Sequence, residues 1–420
     1  MKFQMEHIGK ILSASIELDG VTLIAGDNSS GKTTIAKALY GTLSPLSEFY
    51  ERVMDSRIDS IAKYASDWYL DAAGPRSRLE RNTLMATNNK FKKALKEWVS
   101  TNDDTLNNDF IFTNEYMIKF MQSSFPDYKD AIFLTSDNTD KTIDAMNEAW
   151  QRSNEAYASM IFTQELNNQF RNQIKTFDYE GSSKIGIDTF SLQISEKGIE
   201  ELVLPEPIDI LQGGSVVYFS ALREFTYEGL VFSKTNLLDL ISKSSILDNP
   251  DLVYEDFVEN KKMMQEFRGI IDNIIHGHLK ITGSKLQYIE NEYPTTPIAI
   301  ENIASGILPF AIIDRLIENG TLSRNSVLII DEPEMNLHPE WQIAFGKLLV
   351  LLAEKLDIKS LLISHSPYFI RAIEKTLSQN NSVKGAFYLM APKERLYTAE
   401  NVTDKVGEIY EHLYKPLEEL

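Results

Sequence analysis

Gly26, Asp27, Asn28, Ser29, Ser30, Gly31, Lys32 and Thr33 follow the apolar run Val21–Ala25 and fit the pattern G-x-x-x-x-G-K-[ST]. Thr34 then leads into a helix-like segment, so a strand-like and a helix-like stretch flank the loop. Residues of these types at this spacing bind phosphate. The two glycines permit backbone angles closed to other residues, so that successive N–H groups converge on phosphate oxygens. A helix starting near Lys32 turns its positive end to the same anion. Lys32 is expected to neutralise the β- and γ-phosphates of ATP, and the Thr33 hydroxyl to ligate Mg²⁺. Far along the chain, the β-branched run Ser326–Ile330 ends in Asp331-Glu332-Pro333. Two acids at the C-terminal edge of a buried parallel strand sit where open α/β sheets bind ligands. Asp331 is expected to hold Mg²⁺ through water and Glu332 to polarise the attacking water. Another strand-like run, Ser360–Ile363, ends in Ser364-His365-Ser366-Pro367, which brings His365 to the same edge as a sensor of the γ-phosphate. Ser305 and Gly306 open a further helix-like stretch and form a second anion site.

These groups require parallel strands whose ends share one edge, most of them followed by a helix. The expected fold class is therefore α/β, a P-loop NTPase with a mixed sheet. Met1–Ala25 reads as two short strands with a turn near Lys10. Residues 175–220 alternate apolar and polar with glycine turns, which predicts an antiparallel sheet beside the main one. Ser215–Phe219 reads as a buried strand, and Arg223 just beyond it is a weaker candidate for approaching the nucleotide. From Ser44 to about Phe162 the chain is mainly helical, without a heptad repeat that survives three turns, so a helical insertion lobe over 46–159 is expected to interrupt a head made of 1–45 and 160–420. Residues 226–278 read as helix, with His276-Gly277-His278 at a helix end and not a metal site, and 279–300 read as a hairpin.

Composition narrows the function. The net charge of −19 opposes a surface coated by DNA or an anionic membrane. The absence of cysteine excludes disulfides and thiolate metal sites. Neither a signal core nor a membrane-spanning apolar segment is evident, so a soluble, cytoplasmic protein with no membrane partner is expected. Arg76, Arg78, Arg81, Lys90, Lys92, Lys93 and Lys96, opposed only by Glu80 and Glu97, form the one basic stretch suited to nucleic acid or an acidic partner.

The order of parts is P-loop, Ser305-Gly306, Ile329-Ile330-Asp331-Glu332-Pro333-Glu334, Leu337-His338-Pro339 and Ser364-His365-Ser366-Pro367. It resembles the ABC-type ATPase head of the group containing the SMC, RecF and OLD proteins. Within that group it is most similar to bacterial anti-phage defence ATPases such as the ATPase of the Septu system. The resemblance implies a homodimer, or a higher oligomer, that closes around two ATP molecules. Ser305 and Gly306 of one subunit would touch the γ-phosphate held by the other, Asn336, Leu337 and His338 would cross the seam, and His365 would be the switch histidine. It also implies a glutamine that reaches Mg²⁺ and the water, for which Gln173 is preferred over Gln169. The implied function is an ATP-driven switch that controls a separate effector, a nuclease or toxin. The alternative is a RecF- or SMC-like DNA-binding ATPase of repair or chromosome maintenance, with the Arg76–Lys96 stretch as its DNA surface.

Overall fold

The computed structural model describes residues 1–72, 81–101, 112–113, 137–220, 237–243, 265, 267–282 and 285–418. They divide into two compact units, Met1–Ser47 with Phe162–Leu420, and Glu48–Ile161. In chain order the strands are β1 (Lys2–Ile8), β2 (Ile11–Glu17), β3 (Val21–Ala25), β4 (Ser183–Ile187), β5 (Phe190–Ser195), β6 (Gly198–Val203), β7 (Val216–Ser220), β8 (Gly277–Thr282), β9 (Lys285–Glu290), β10 (Pro297–Ala299), β11 (Val327–Asp331), β12 (Lys359–Ile363), β13 (Gly385–Lys393) and β14 (Leu396–Asn401). The helices are α1 (Lys32–Ser47), α2 (Phe49–Ala72), α3 (Arg81–Thr101), α4 (Asp137–Gln151), α5 (Asn154–Phe170), α6 (Leu237–Ser242), α7 (Leu308–Glu318), α8 (Pro339–Leu356), α9 (Pro367–Gln379) and α10 (Gly407–Glu418).

Eleven strands of the first unit form one sheet in the order β6-β5-β4-β1-β2-β14-β13-β3-β12-β11-β7. From β13 to β7 every pairing is parallel. β3, β7 and β11 are buried at every position, as expected of strands covered on both faces. At the other end β6, β5, β4, β1 and β2 pair antiparallel, and β4 alternates buried and open positions. The antiparallel strands predicted over 175–220 beside the main sheet are joined to it, because β4 pairs directly with β1.

The registers of the parallel strands align their C-terminal ends. Asp331 lies opposite both Ile363 and Ser220, and Ile363 lies opposite Ile24, one residue before the end of β3. The two proline motifs turn out to be helix starts. Pro339 opens α8 after His338, whose ring accepts from Glu340 N, and Pro367 opens α9 after Ser366, whose hydroxyl accepts from Phe369 N. These helices fix the strand ends by burying Phe345, Leu348, Leu349, Phe369 and Ile370 against the sheet core. Each such side chain contributes roughly 1.5–3 kcal/mol through burial.

β8 and β9 pair antiparallel as the expected hairpin, and β10 extends them into a three-stranded sheet. The histidine pair departs from expectation, because Gly277 and His278 open β8 instead of ending a helix. The strand wins because Gly277 approaches β9 closely, where a Cβ would lie 2.3 Å from Ile289 O.

In the second unit α2, α3 and α4 enclose a core that includes Ile61, Phe91, Phe112 and Trp150. Phe112 meets Trp150 edge-on with ring centroids 6.0 Å apart, and Asn147 holds the Phe112 backbone through bonds of 2.6 and 3.0 Å. Within this unit Lys92 pairs with Asp59 at 2.8 Å, Lys96 with Asp55 at 2.6 Å and Lys93 with Glu97 at 3.8 Å. Cations paired with neighbouring carboxylates have less net charge to present to a polyanion. Arg76, Arg78 and Arg223 lie outside the described residues.

Candidate functional site

β3 leads into the loop Gly26–Gly31, and α1 begins at Lys32. Gly26 (φ 146°) and Gly31 (φ 94°) adopt backbone that other residues avoid, and a Cβ on Gly31 would lie 2.5 Å from Ile11 Cδ1. Asp27, Asn28 and Ser29 are exposed, whereas Ser30 is buried. Lys32 is only 7% exposed, and its Nζ donates to Gly26 O at 2.8 Å and Asp27 O at 2.7 Å. Burial pushes the Lys32 ammonium below the usual lysine range, and Asp331 and Glu332 oppose the shift. A buried cation resting on carbonyls beside two acids is poised to move onto a phosphate. Ser30 Oγ is likewise buried and without a hydrogen-bond partner among the described residues, as a group kept for a ligand would be.

A side-chain bond joins the loop to the acid strand. Thr33 Oγ1 donates to Asp331 Oδ2 at 2.7 Å across 298 positions of sequence. Asp331 is 6% exposed and ends β11. Among the described residues no group of three or more histidines or acids converges to hold a metal ion. A hydroxyl beside one carboxylate suits Mg²⁺, which keeps several waters and takes phosphate oxygens as its other ligands. Glu332 follows in a left-handed conformation (φ 58°), with its N–H donated to Ile363 O at 2.9 Å. Such backbone costs about 1–3 kcal/mol and persists where surrounding contacts enforce it.

Beyond Glu332 a chain of side chains binds the strand ends together. Glu334 Oε1 accepts from His365 N at 2.8 Å and Ser366 N at 3.1 Å, and His365 Nδ1 lies 3.4 Å from the same oxygen. Ser366 Oγ donates to Gln342 Oε1 at 2.5 Å, and Gln342 Nε2 donates to Leu337 O at 3.0 Å. The His365 ring itself is half exposed.

Ser305 and Gly306 lie in a short 3-10 turn, Ser305–Ile307, that runs straight into α7. Ser305 is exposed and Gly306 buried. A Cβ on Gly306 would stand 3.0 Å from Asn336 O and 3.2 Å from Trp341 Cζ3, so this turn packs on the Asn336–His338 segment of the same chain. Asn336 is left-handed (φ 60°), and both it and His338 are exposed.

The structure does not bring Gln173 into this cluster. It is exposed and lines a cavity of about 900 Å³ with Asn172, Lys175 and Glu180, and no P-loop or acid-strand residue lines that cavity. Its neighbour Ile174 does accept from Gly9 N at 2.9 Å, and Gly9 in turn lies against Thr34. Gln169 is buried on α5 and donates to Glu165 at 3.0 Å. The sequence reading gave no role to four residues that brace the site. Besides Glu334 and Gln342, Lys10 Nζ donates to Ser29 O at 3.2 Å, and His412 Nε2 on α10 lies 2.9 Å from Asp27 Oδ1.

The sequence profile described as AAA ATPase domain matches residues 9–370. The chain belongs to the AAA ATPase domain family. No curated protein sequence matches it. Among solved structures, the SMC head domain from Thermotoga maritima is similar at 10% identity and a TM-score of 0.36, over 96% of this chain and 98% of that one. A structure of an SmcHead bound to the C-winged helix domain of ScpA is similar at 9% identity and a TM-score of 0.43, over 97% of this chain and 98% of that one. Among the described residues of this ATPase-family chain no helix is long and apolar enough to cross a membrane.

Replacing Lys32 by alanine removes a charged donor from the ATPase loop. A hydrogen bond to a charged group contributes roughly 1.5–3 kcal/mol, so Lys32→Ala should weaken ATP binding about 10- to 100-fold by calorimetry. Unchanged affinity would move the phosphates elsewhere.

Proposed function

We propose that the chain hydrolyses ATP, closes as a homodimer around two nucleotides, and uses that motion in the cytoplasm to control a separate nuclease or toxin in anti-phage defence. The observation that carries the chemistry is the Thr33–Asp331 bond, which joins a phosphate loop to an acid pair at one sheet edge. In this reading the loop N–H groups, Ser30 and Lys32 hold the β- and γ-phosphates. Thr33 and Asp331 hold Mg²⁺, which when bound neutralises phosphate charge and orients the transferred group. Glu332 takes the proton of the attacking water, and His365 senses the γ-phosphate and fixes that water. Gln173 is the proposed glutamine that reaches Mg²⁺ and the water, a role that requires its loop to move toward Thr34. Ser305 and Gly306 of the partner subunit would complete each site. The exposure of Ser305, Asn336 and His338 supports that part.

The effector and the defence setting rest on the resemblance in motif order to defence-type ATPases. Tagged Glu332→Gln protein, isolated from its native cells with ATP and Mg²⁺, tests them by mass spectrometry. A nuclease or toxin at stoichiometric ratio supports the switch. Bound nucleic acid without a protein partner replaces it with a DNA-repair ATPase.

A further inference from the structure

Glu334 is 6% exposed, yet its carboxylate is not evenly satisfied. Oε1 takes the N–H groups of His365 and Ser366 and faces His365 Nδ1 at 3.4 Å. Oε2 is buried with no hydrogen-bond partner among the described residues. A carboxylate kept only for stability would be expected to have both oxygens paired, because an unpaired buried polar atom is costly and a buried charge more so. Both hydrogen bonds to Oε1 instead come from the segment that carries His365. Its placement also follows from the fold, since it lies three residues past Asp331 in the turn between β11 and α8, while His365 follows the adjacent parallel strand β12.

From this geometry we infer that Glu334 is a positioning residue for ATP hydrolysis, holding the His365 ring with Nδ1–H toward its carboxylate so that Nε2 is left to accept from the attacking water. The inference rests on the proposed role of His365. It follows the logic by which a carboxylate behind a histidine selects one tautomer and one ring orientation. A simpler role is open to Glu334, that of an acceptor bracing the loop before α9. That role needs only an oxygen facing two backbone donors, which glutamine also supplies. Positioning needs the charge, which glutamine lacks.

The test compares Glu334→Gln, His365→Ala and the double variant in the full chain. If Glu334 positions His365, Glu334→Gln lowers kcat about 10- to 100-fold, the scale for groups that orient a working histidine, and leaves the KM for ATP nearly unchanged. The double variant is then no slower than His365→Ala, because the two residues act as one unit. Nitrogen NMR of the His365 ring gives a readout independent of activity, with Nδ1 protonated in the wild type and Nε2–H gaining population in Glu334→Gln. Independent, multiplying losses of rate overturn the inference, as do ring nitrogens unchanged by Glu334→Gln. If His365→Ala turns over normally, the role of His365 and the catalytic part of this inference fall together, while the NMR result still decides whether Glu334 sets the ring.

Discussion

Glu332→Gln is expected to bind ATP as tightly as the wild type and to hydrolyse it about 10²- to 10⁴-fold more slowly, the range that general-base catalysis supplies. Glutamine keeps the size of the side chain but cannot take the proton of the attacking water. The change should leave the rest of the site in place. Thr33 binds Asp331 and not Glu332, and the strand end at residue 332 is held through a main-chain bond to Ile363 that glutamine also makes. Equilibrium ATP binding and single-turnover hydrolysis, measured on the same preparation, separate the two effects. Wild-type turnover would remove Glu332 from the role of base, and lost binding would mean that it helps hold the nucleotide.

Ser305→Arg is expected to abolish ATP-dependent dimerisation and to lower steady-state hydrolysis at least about 10-fold, a loss of the size that follows from removing donors aimed at transition-state charge. ATP binding by the single subunit should persist, since Ser305 stands apart from that subunit's own P-loop in the proposed arrangement. The turn has little room to yield. Gly306 is buried against Asn336 and Trp341, so an added bulk at 305 has to project outward into any closing partner. Light scattering with ATP and the Glu332→Gln background reads the dimer directly. A Ser305→Arg protein that hydrolyses ATP at the wild-type rate would show that one subunit suffices.

What could be read from the sequence was whatever is contiguous in it. The P-loop announces itself within eight residues between an apolar strand and a helix, and the acid pair closes an unbroken β-branched run. The turn at Lys10, the buried strand before Ser220 and the hairpin after residue 278 were legible for the same reason, each being a local pattern of period or turn chemistry. What escaped depends on which strands become neighbours. The bond from Glu334 to His365 exists only because β11 and β12 lie side by side, and the contact of His412 with Asp27 only because α10 returns to the P-loop. The β4–β1 pairing, which joins the expected antiparallel sheet to the main one, is non-local in the same way. At Gly277 a helix reading failed because close contact with β9 outweighed the local pattern.

The position of β3 also governs when the nucleotide site can come into being. This strand lies between β12 and β13, with Val21 paired to Ser360 on one side and to Gly385 on the other. Contacts between residues this far apart in the chain make folding slow, because the loop must close before the pairing rewards it. During synthesis β3 and the P-loop emerge hundreds of residues ahead of β12 and β13, the two strands that flank β3 in the sheet. Its apolar strand stays unpaired throughout that interval, and such strands are where chains associate wrongly. For this protein, competence to bind ATP therefore waits on strands that follow the P-loop by hundreds of residues.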